Sequence, residues 1–137
     1  MTDLSSITEA EKTQLIETAQ RALSHAYAPY SQFRVGAAVL TEKRQIFAGC
    51  NVENASYGLS ICAERNAIAT AIMAEGGGTI KIKAIAVVNN QDAPCSPCGA
   101  CRQVIWEFGK DALVIFRGSQ GWQTSEMRKL LPQGFSF

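Results

Sequence analysis

The stretch VGAAVLTEKRQIFAGCNV, residues 35–52, decides the fold of this 137-residue chain. Val35–Leu40 is a continuous apolar run, which is typical of a strand that is covered on both faces. Glu42–Gln45 is a polar turn, and Ile46–Val52 has the pattern of a second strand. Because so short a link leaves no room for a crossover, we predict that the two strands pair antiparallel.

An amphipathic helix is predicted before this hairpin. Two overlapping capping-box patterns, Ser6 with Glu9 and Thr8 with Glu11, are followed by apolar residues at helical spacing. The segment Ala28-Pro29-Tyr30-Ser31 ends the helix, since proline restricts the backbone of the residue before it.

After the hairpin, strands and helices are predicted to alternate. An alanine-rich helix begins near Cys62 and stops at Gly76, where glycine readily ends a helix. Ser96 and Pro97 form a helix-start pattern, an N-cap hydroxyl followed by a residue suited to the first helical position. The remaining elements are expected as a loop at 54–61, strands at Ile80–Val88, Leu113–Phe116 and Gly121–Thr124, a helix from about Cys98 to Phe108, and a short helix at Glu126–Leu131.

This order of elements predicts the architecture. Helices that alternate with strands around one hairpin imply a mixed sheet with helices packed on its faces. We therefore expect an α/β fold of three layers, α/β/α, in which a mixed sheet of about five strands is flanked by helices. The length is typical of one domain, so residues 1–137 are expected to form a single domain.

Composition and charge argue against several classes of function. Thirteen Lys and Arg against twelve Asp and Glu give a net charge of +1 with no basic run, so nucleic acid is not an expected partner. No apolar stretch approaches the roughly 18 residues that span a bilayer, and no signal-peptide pattern opens the sequence. We therefore expect a cytoplasmic protein without a membrane partner. Its five cysteines are then more typical of thiols or metal ligands than of disulfides.

Three of the cysteines have metal-binding spacing. Cys98 and Cys101 lie three residues apart at a predicted helix start, so both thiols can reach one metal ion. Cys62 lies at the start of the other helix, and helix N-termini favour the thiolate form that zinc requires. A fold that brings the two N-termini together supplies three thiolates and leaves a tetrahedral zinc with one open position, as in catalytic sites.

Two charged residues follow Cys62 closely. Glu64 can reach a water in the open position without being a metal ligand, although the helix dipole alone also favours Glu in a first turn. Arg65 is either a surface arginine or a donor to the ligand sulfurs that offsets the negative charge of three thiolates.

Six segments resemble the small homotetrameric cytidine deaminases in order and spacing. Cys-Ala-Glu at 62–64, followed at a distance by Pro-Cys-x-x-Cys at 97–101, is the pattern of zinc-dependent nucleobase deaminases. The six segments are Tyr27–Phe33, Val35–Ala38, Gly49–Ala55, Cys62–Arg65, Ser96–Gln103 and Leu130–Pro132. The resemblance therefore extends over nearly the whole chain.

The resemblance implies an activity and a cofactor. The activity is hydrolytic deamination of cytidine and deoxycytidine to uridine and deoxyuridine plus ammonia, through zinc-bound hydroxide, in pyrimidine salvage. Cys62, Cys98 and Cys101 match the ligands of one Zn²⁺ per chain, and Arg65 matches an arginine that tunes the metal site. Glu64 matches the residue that carries protons from the water to the ring nitrogen and then to the departing ammonia.

The resemblance also implies how a nucleoside substrate is bound. Asn51 and Glu53 match a pair that hydrogen-bonds the ribose, and their alternate spacing at a strand end aims both to one side. Phe33 matches an aromatic residue of the pyrimidine slot, the backbone of Ala63 is expected to contact the ring carbonyl, and Tyr57 is expected nearby.

A further implied contact crosses a subunit boundary. Phe135, close to the C-terminus, matches an aromatic residue that closes over the base bound to a neighbouring subunit. The resemblance therefore predicts a homotetramer with its sites at subunit interfaces.

Other interpretations of these residues remain open at this point. One is a non-catalytic zinc module in which Cys95 or Cys50 completes a four-thiolate site. Another is a thiol redox protein that uses Cys98 and Cys101. Within the enzyme class, the rivals are a deaminase of a related aminopyrimidine nucleoside and a polynucleotide deaminase. Polynucleotide relatives usually carry His at the position of Cys62, and the sequence lacks the basic surface that holds a strand.

Overall fold

The computed structural model describes residues 7–137. Along this range the elements are α1 (Glu9–Leu23), β1 (Val35–Thr41), β2 (Ile46–Cys50), α2 (Ala63–Glu75), β3 (Ile82–Asn89), α3 (Gly99–Phe108), β4 (Leu113–Gly118), β5 (Gly121–Glu126) and α4 (Met127–Leu130). A single 3₁₀ turn, Tyr57–Leu59, lies in the loop between β2 and α2. Among the helices of this range, none has the length and apolarity needed to cross a membrane.

The strands form one mixed sheet in the order β2-β1-β3-β4-β5. β1 is antiparallel to both β2 and β3, β4 is antiparallel to β5, and β3 and β4 are parallel. α3 lies in the crossover between the two parallel strands, as a parallel pair requires. The predicted hairpin is confirmed, with Gly36 opposite Cys50 and Leu40 opposite Ile46.

Helices cover both faces of the sheet, so the predicted three layers are confirmed. Consecutive residues of β1 alternate between the two faces, which is why Val35–Leu40 is apolar throughout. Ala38 and Leu40 pack with Leu15 of α1 on one face. Ala37 and Val39 belong to the other core, which contains buried residues of α2 and α3.

α1 begins as its capping box predicts. The Oγ1 atom of Thr8 accepts a hydrogen bond from the Glu11 N–H, and the Glu11 carboxylate accepts one from the Thr8 N–H, each at 3.0 Å. A cap of this kind contributes about 1 kcal/mol to helix stability. The other predicted box depends on Ser6, which lies outside the described residues.

β2 ends at Cys50, and its predicted extension to Val52 is wrong. The backbone changes partners at this point, because Asn51 O accepts from Tyr27 N and Val52 exchanges hydrogen bonds with Ile61. The chain is thereby drawn away from the sheet edge, and the pairing with Ile61 holds the residue that immediately precedes Cys62.

The predicted start of α3 is also wrong in its cap. Cys98, with an extended backbone, is the N-cap, and the helix begins at Gly99. Ser96 is not the cap because the backbone is still extended at Cys98, two residues further on, and its hydroxyl instead accepts a hydrogen bond from Arg102 Nη2 at 2.8 Å. The other predicted strand and helix boundaries in this half of the chain differ from the structure by at most two residues.

Gly49 allows α2 to pack directly on β2. A Cβ atom on Gly49 would lie 2.3 Å from the backbone nitrogen of Ala67 and 2.7 Å from the carbonyl oxygen of Ala63, closer than a side chain can approach. A larger residue would therefore displace the first turns of α2 from the sheet, and with them Cys62 and Glu64.

Candidate active site and metal centre

Three cysteine side chains meet where two helices begin. Cys62 is the N-cap of α2, Cys98 is the N-cap of α3, and Cys101 lies in the first turn of α3. Their Sγ atoms all lie within 4.8 Å of one another. Zn–S bonds of about 2.3 Å place tetrahedral sulfurs about 3.8 Å apart, so this group of atoms fits one zinc ion after small side-chain adjustments.

Hydrogen bonds among the three thiols shift their pKa values in a way that favours metal binding. A hydrogen bond from Cys101, helped by the guanidinium of Arg65, lowers the pKa of Cys62 to about 5. The same hydrogen bond and burial raise the pKa of Cys101, which is the donor. One thiolate is therefore already favoured, and a dication is the group that allows the remaining thiols to lose their protons.

Cys50 and Cys95 stand apart from this cluster. Both are partly buried free thiols. Within residues 7–137, the group of side chains placed to hold a metal contains Cys62, Cys98 and Cys101 without either of them. Three protein ligands leave the fourth tetrahedral position for water or substrate, so a closed four-thiolate module is not favoured.

Glu64 is an acidic residue that lies against the cluster. It lies in the first turn of α2 and is only 5% exposed. Burial raises the pKa of its carboxyl group, and the negative charge of Cys62 acts in the same direction. A carboxyl group whose protonated form is stabilised in this way can both accept and return a proton within one turnover.

Arg65 is directed toward the same sulfurs. Its Nη2 atom lies 3.6 Å from the Cys62 Sγ, within hydrogen-bond range for sulfur. Its Nε atom is buried and has no hydrogen-bond partner in the described part of the chain. The guanidinium therefore places positive charge against a thiolate, as a site with three negative ligands requires.

Replacing Arg65 by Gln should retain zinc but lower the turnover rate. The substitution removes the charge that offsets the thiolates, which weakens the metal as a Lewis acid, and it leaves all three sulfurs in place. The checks are zinc content per chain and steady-state kinetics on the nucleoside substrate that the sequence predicts. If both the rate and the zinc affinity equalled those of the wild type, Arg65 would be a surface residue without effect on the site.

A cavity of about 370 Å³ opens beside Cys62. Its size falls in the range of about 300–1,000 Å³ that small-molecule sites occupy. It is lined by Tyr30, Ser31, Asn51, Glu53, Tyr57, Ser60, Ile61 and Cys62. Polar groups and two tyrosines thus surround a space that ends at the thiol cluster.

Asn51 holds one wall of this cavity. Its Oδ1 atom accepts from the Val35 N–H and its Nδ2 atom donates to the Phe33 carbonyl, each at 2.9 Å. The amide therefore clamps the entry of β1 to the end of β2. One N–H and one lone pair of the amide remain for a ligand.

Glu53 holds the segment of the cavity wall that contains Tyr30 and Ser31. One carboxylate oxygen accepts from the Tyr30 N–H at 2.9 Å and the Ser31 N–H at 3.1 Å, and the other accepts from the Ser31 hydroxyl. The Ser31 hydroxyl is the main cause that lowers the pKa of Glu53. The group is therefore an ionised acceptor with lone pairs left for a hydroxyl of a ligand.

The remaining predicted contacts have different positions. The Tyr57 ring stands in the cavity wall at a centroid distance of 5.9 Å from the Tyr30 ring. Phe33 and Ala63 adjoin the site through their neighbours in sequence but are not among the lining residues. Phe135 does not line the cavity of its own chain either, and the residue is 64% exposed.

Two residues that hold the cysteine-bearing elements in place, Asn66 and Arg102, were not predicted from the sequence. Asn66 of α2 donates from Nδ2 to the Cys50 carbonyl at 2.8 Å, which ties α2 to the end of β2. Arg102 donates to the Pro97 and Leu130 carbonyls and to Ser96 Oγ, at 2.7–2.8 Å. Their nearness to the cysteine motifs was a signal, but their partners up to 28 residues away were not visible in the sequence.

The fold and the site together define a hydrolytic zinc enzyme. Three thiols converge from two helix N-termini, one ligand position is left open, and a buried carboxyl group stands beside them.

Comparison with known proteins gives the family. Residues 9–117 match the model of the cytidine and deoxycytidylate deaminase zinc-binding region. The chain is 44% identical over 124 residues to the cytidine deaminase of Sporosarcina psychrophila, covering 89% of each chain. It is 43% identical to a probable cytidine deaminase of Dictyostelium discoideum, covering 93% of this chain and 86% of the relative.

A solved structure gives the same answer. The crystal structure of cytidine deaminase from Burkholderia pseudomallei superposes with a TM-score of 0.81 and 46% identity, covering 94% of this chain and 100% of the other. The chain therefore belongs to the cytidine and deoxycytidylate deaminase family.

Proposed function

We propose that the chain hydrolyses cytidine and deoxycytidine to uridine and deoxyuridine plus ammonia, in pyrimidine salvage. The observation that carries this proposal is the group of three thiols with the buried Glu64, at the end of a cavity of nucleoside size. Membership of the deaminase family supports the reaction, and relatives that are 44% and 46% identical are named cytidine deaminases.

The chemistry divides between the metal and one carboxyl group. Cys62, Cys98 and Cys101 hold one zinc ion per chain, which when bound makes water acidic enough to ionise near neutral pH. Glu64 accepts a proton from the attacking water and delivers it to the ring nitrogen of the pyrimidine. It then takes the remaining proton of the oxygen that is now bonded to the ring carbon and gives it to the amino group, so that the exocyclic C–N bond breaks, ammonia leaves and the ring carbonyl forms. Glu64 thus acts as base and as acid in turn.

The rest of the cavity binds the nucleoside. Asn51 and Glu53 keep hydrogen-bonding capacity after their contacts within the chain, and we propose that they bind the sugar hydroxyls. Tyr57 and Phe33 are proposed to flank the base, and the backbone of Ala63 to contact its ring carbonyl. Binding of the sugar and the base on fixed elements places the reacting carbon beside Glu64.

The proposal is tested by following the loss of ultraviolet absorbance with a panel of substrates. The panel contains cytidine, deoxycytidine, their monophosphates and free cytosine. We expect turnover of both nucleosides, because the polar wall at Asn51 and Glu53 suits a sugar. Failure on both nucleosides by the zinc-loaded protein would exclude the proposed function.

We further propose that residues 1–137 form one deaminase domain that works as a cytoplasmic homotetramer, with Phe135 closing over the base in a neighbouring subunit. The exposure of the Phe135 ring supports a contact outside its own chain. Several exposed apolar side chains around the cavity, including Tyr57 and Ile61, support the presence of a covering subunit.

Mixed oligomers should show this sharing of a site. Glu64→Ala chains and Phe135→Ala chains are each expected to be weakly active alone. When they are refolded together, a site with an intact Glu64 can receive the intact ring of its neighbour, so activity should exceed the sum of the separate preparations. No gain, with mixing verified by mass spectrometry, would mean that each site is built from one chain.

A further inference from the structure

The C-terminal segment, residues 131–137, contains no helix or strand but is fastened to α3. Gln103 makes the most specific contact, because its Nε2 atom donates to the Phe135 carbonyl at 2.9 Å and its Oε1 atom accepts from the Phe135 N–H at 3.0 Å. One side chain thus satisfies both backbone groups of Phe135, as a neighbouring strand would.

A second contact lies one residue earlier. A Cβ atom on Gly134 would lie only 2.4 Å from the Cδ2 atom of Trp106, a buried residue of α3. The backbone therefore rests directly against the indole ring, and no other residue type fits at this position without movement. Arg102 fastens the residue just before the segment, since it donates to the carbonyl of Leu130, the last residue of α4, at 2.8 Å.

These contacts fix the backbone but leave the phenyl ring in water. The Phe135 ring is largely exposed and touches the Phe137 ring, at a centroid distance of 5.3 Å. A large apolar side chain on an ordered backbone loses little further conformational freedom when a partner covers it, which favours binding. An ordered backbone that carries an exposed ring is therefore the arrangement expected of a residue that contacts a partner.

We infer that Gln103, with Trp106 and Gly134, is what holds the Phe135 backbone in the position from which the ring makes the contact with a neighbouring subunit's cavity proposed above. This inference rests on the proposed function. The second copy is the fitting partner because its cavity presents the exposed rings of Tyr30 and Tyr57 beside an open mouth. Gln103 is thus a positioning residue, which acts on the substrate only through Phe135.

The test is a double-mutant cycle on zinc-loaded protein with cytidine. Stacking of a base on an aromatic ring is worth about 1–3 kcal/mol, so Phe135→Ala should raise KM by roughly tenfold. Gln103→Leu should raise KM by about 3- to 10-fold, with a smaller change in kcat and unchanged zinc content. On the Phe135→Ala background, Gln103→Leu should have no further effect. Gln20→Leu, at an exposed position of α1, is the matched control.

Three results would overturn the inference. The first is that Gln103→Leu has the KM of the wild type. The second is that Gln103→Leu raises KM as much on the Phe135→Ala background as on the wild type, and the third is that a loss of zinc accounts for the rise in KM. If Gln103→Leu does not fold, Gly134→Ala gives the same cycle through the Trp106 contact without a substitution in α3. An inactive wild-type enzyme would instead reject the proposed function, so the two failures are distinguishable.

Discussion

Glu64→Gln is expected to lower cytidine turnover by about 10²–10⁴-fold or more, while zinc content and fold stay unchanged. Glutamine has nearly the shape of glutamate and can still form hydrogen bonds, so the packing of this buried side chain in α2 is retained. It cannot accept and return a proton. Because one residue is proposed to serve both proton transfers, the loss should lie at or above the top of the range for general acid–base catalysis.

Binding should be affected less than the rate. The proposed sugar contacts of Asn51 and Glu53 are untouched, and the interaction that is lost belongs mainly to the transition state. The fall should therefore appear in kcat, with a modest change in KM.

Glu9→Gln offers a matched control for this substitution. Glu9 also lies in the first turn of a helix, α1, but it is exposed and on the other side of the sheet. Its replacement should leave turnover within about twofold of wild type, as expected for most exposed surface positions. If Glu64→Gln kept more than about a tenth of the wild-type rate, another group would have to carry the protons.

Removal of zinc is expected to abolish turnover and to lower the melting temperature. The purified protein should contain about one zinc per chain, since one group of three thiols fits one ion. Without the metal, the attacking water is not activated, and three thiols and a buried carboxyl group crowd a small volume. A ligand present at 1,000 times its dissociation constant stabilises the folded state by about 4 kcal/mol, so the shift should be readily measured.

Elemental analysis, calorimetry and a nucleoside assay before and after chelation test this expectation. Returning zinc to the chelated protein should restore both activity and stability. Cys101→Ser should lose zinc, whereas Cys50→Ser, which changes a partly buried thiol outside the cluster, should keep it. Full activity in a sample shown to be free of metal would contradict the proposed role of the three cysteines.

Much of the fold was predictable because it depends on patterns among residues that are close together in the sequence. The capping box of Thr8 and Glu11 marks a helix start within four residues, and the apolar run at Val35–Leu40 marks a strand that is buried on both faces. The short polar turn after that run leaves only an antiparallel partner. These features depend on neighbours along the chain, so the sequence alone determined the hairpin, the order of elements and the layers.

The errors occur where the backbone changes its partner. The strand pattern continues through Val52, but hydrogen bonds with Ile61 end β2 at Cys50. Ser96 has the character of an N-cap, but the helix begins only at Gly99, and the Ser96 hydroxyl accepts from Arg102 rather than from a helix N–H. In both cases a residue is bonded to a partner that the local pattern does not indicate, and the N-cap preference given up at Ser96 is worth only about 1 kcal/mol.

The sequence by itself determined which residues are proposed to carry the chemistry, because it contains the spacing of Cys62, Cys98 and Cys101 and places Glu64 two residues after Cys62. Only the tertiary structure decided that the three sulfurs converge and that Glu64 is buried next to them. It also decided that Gln103 holds the backbone of Phe135, 32 residues away. Such distances depend on how closely helices approach the sheet, as at Gly49, and no local pattern along the chain encodes that approach.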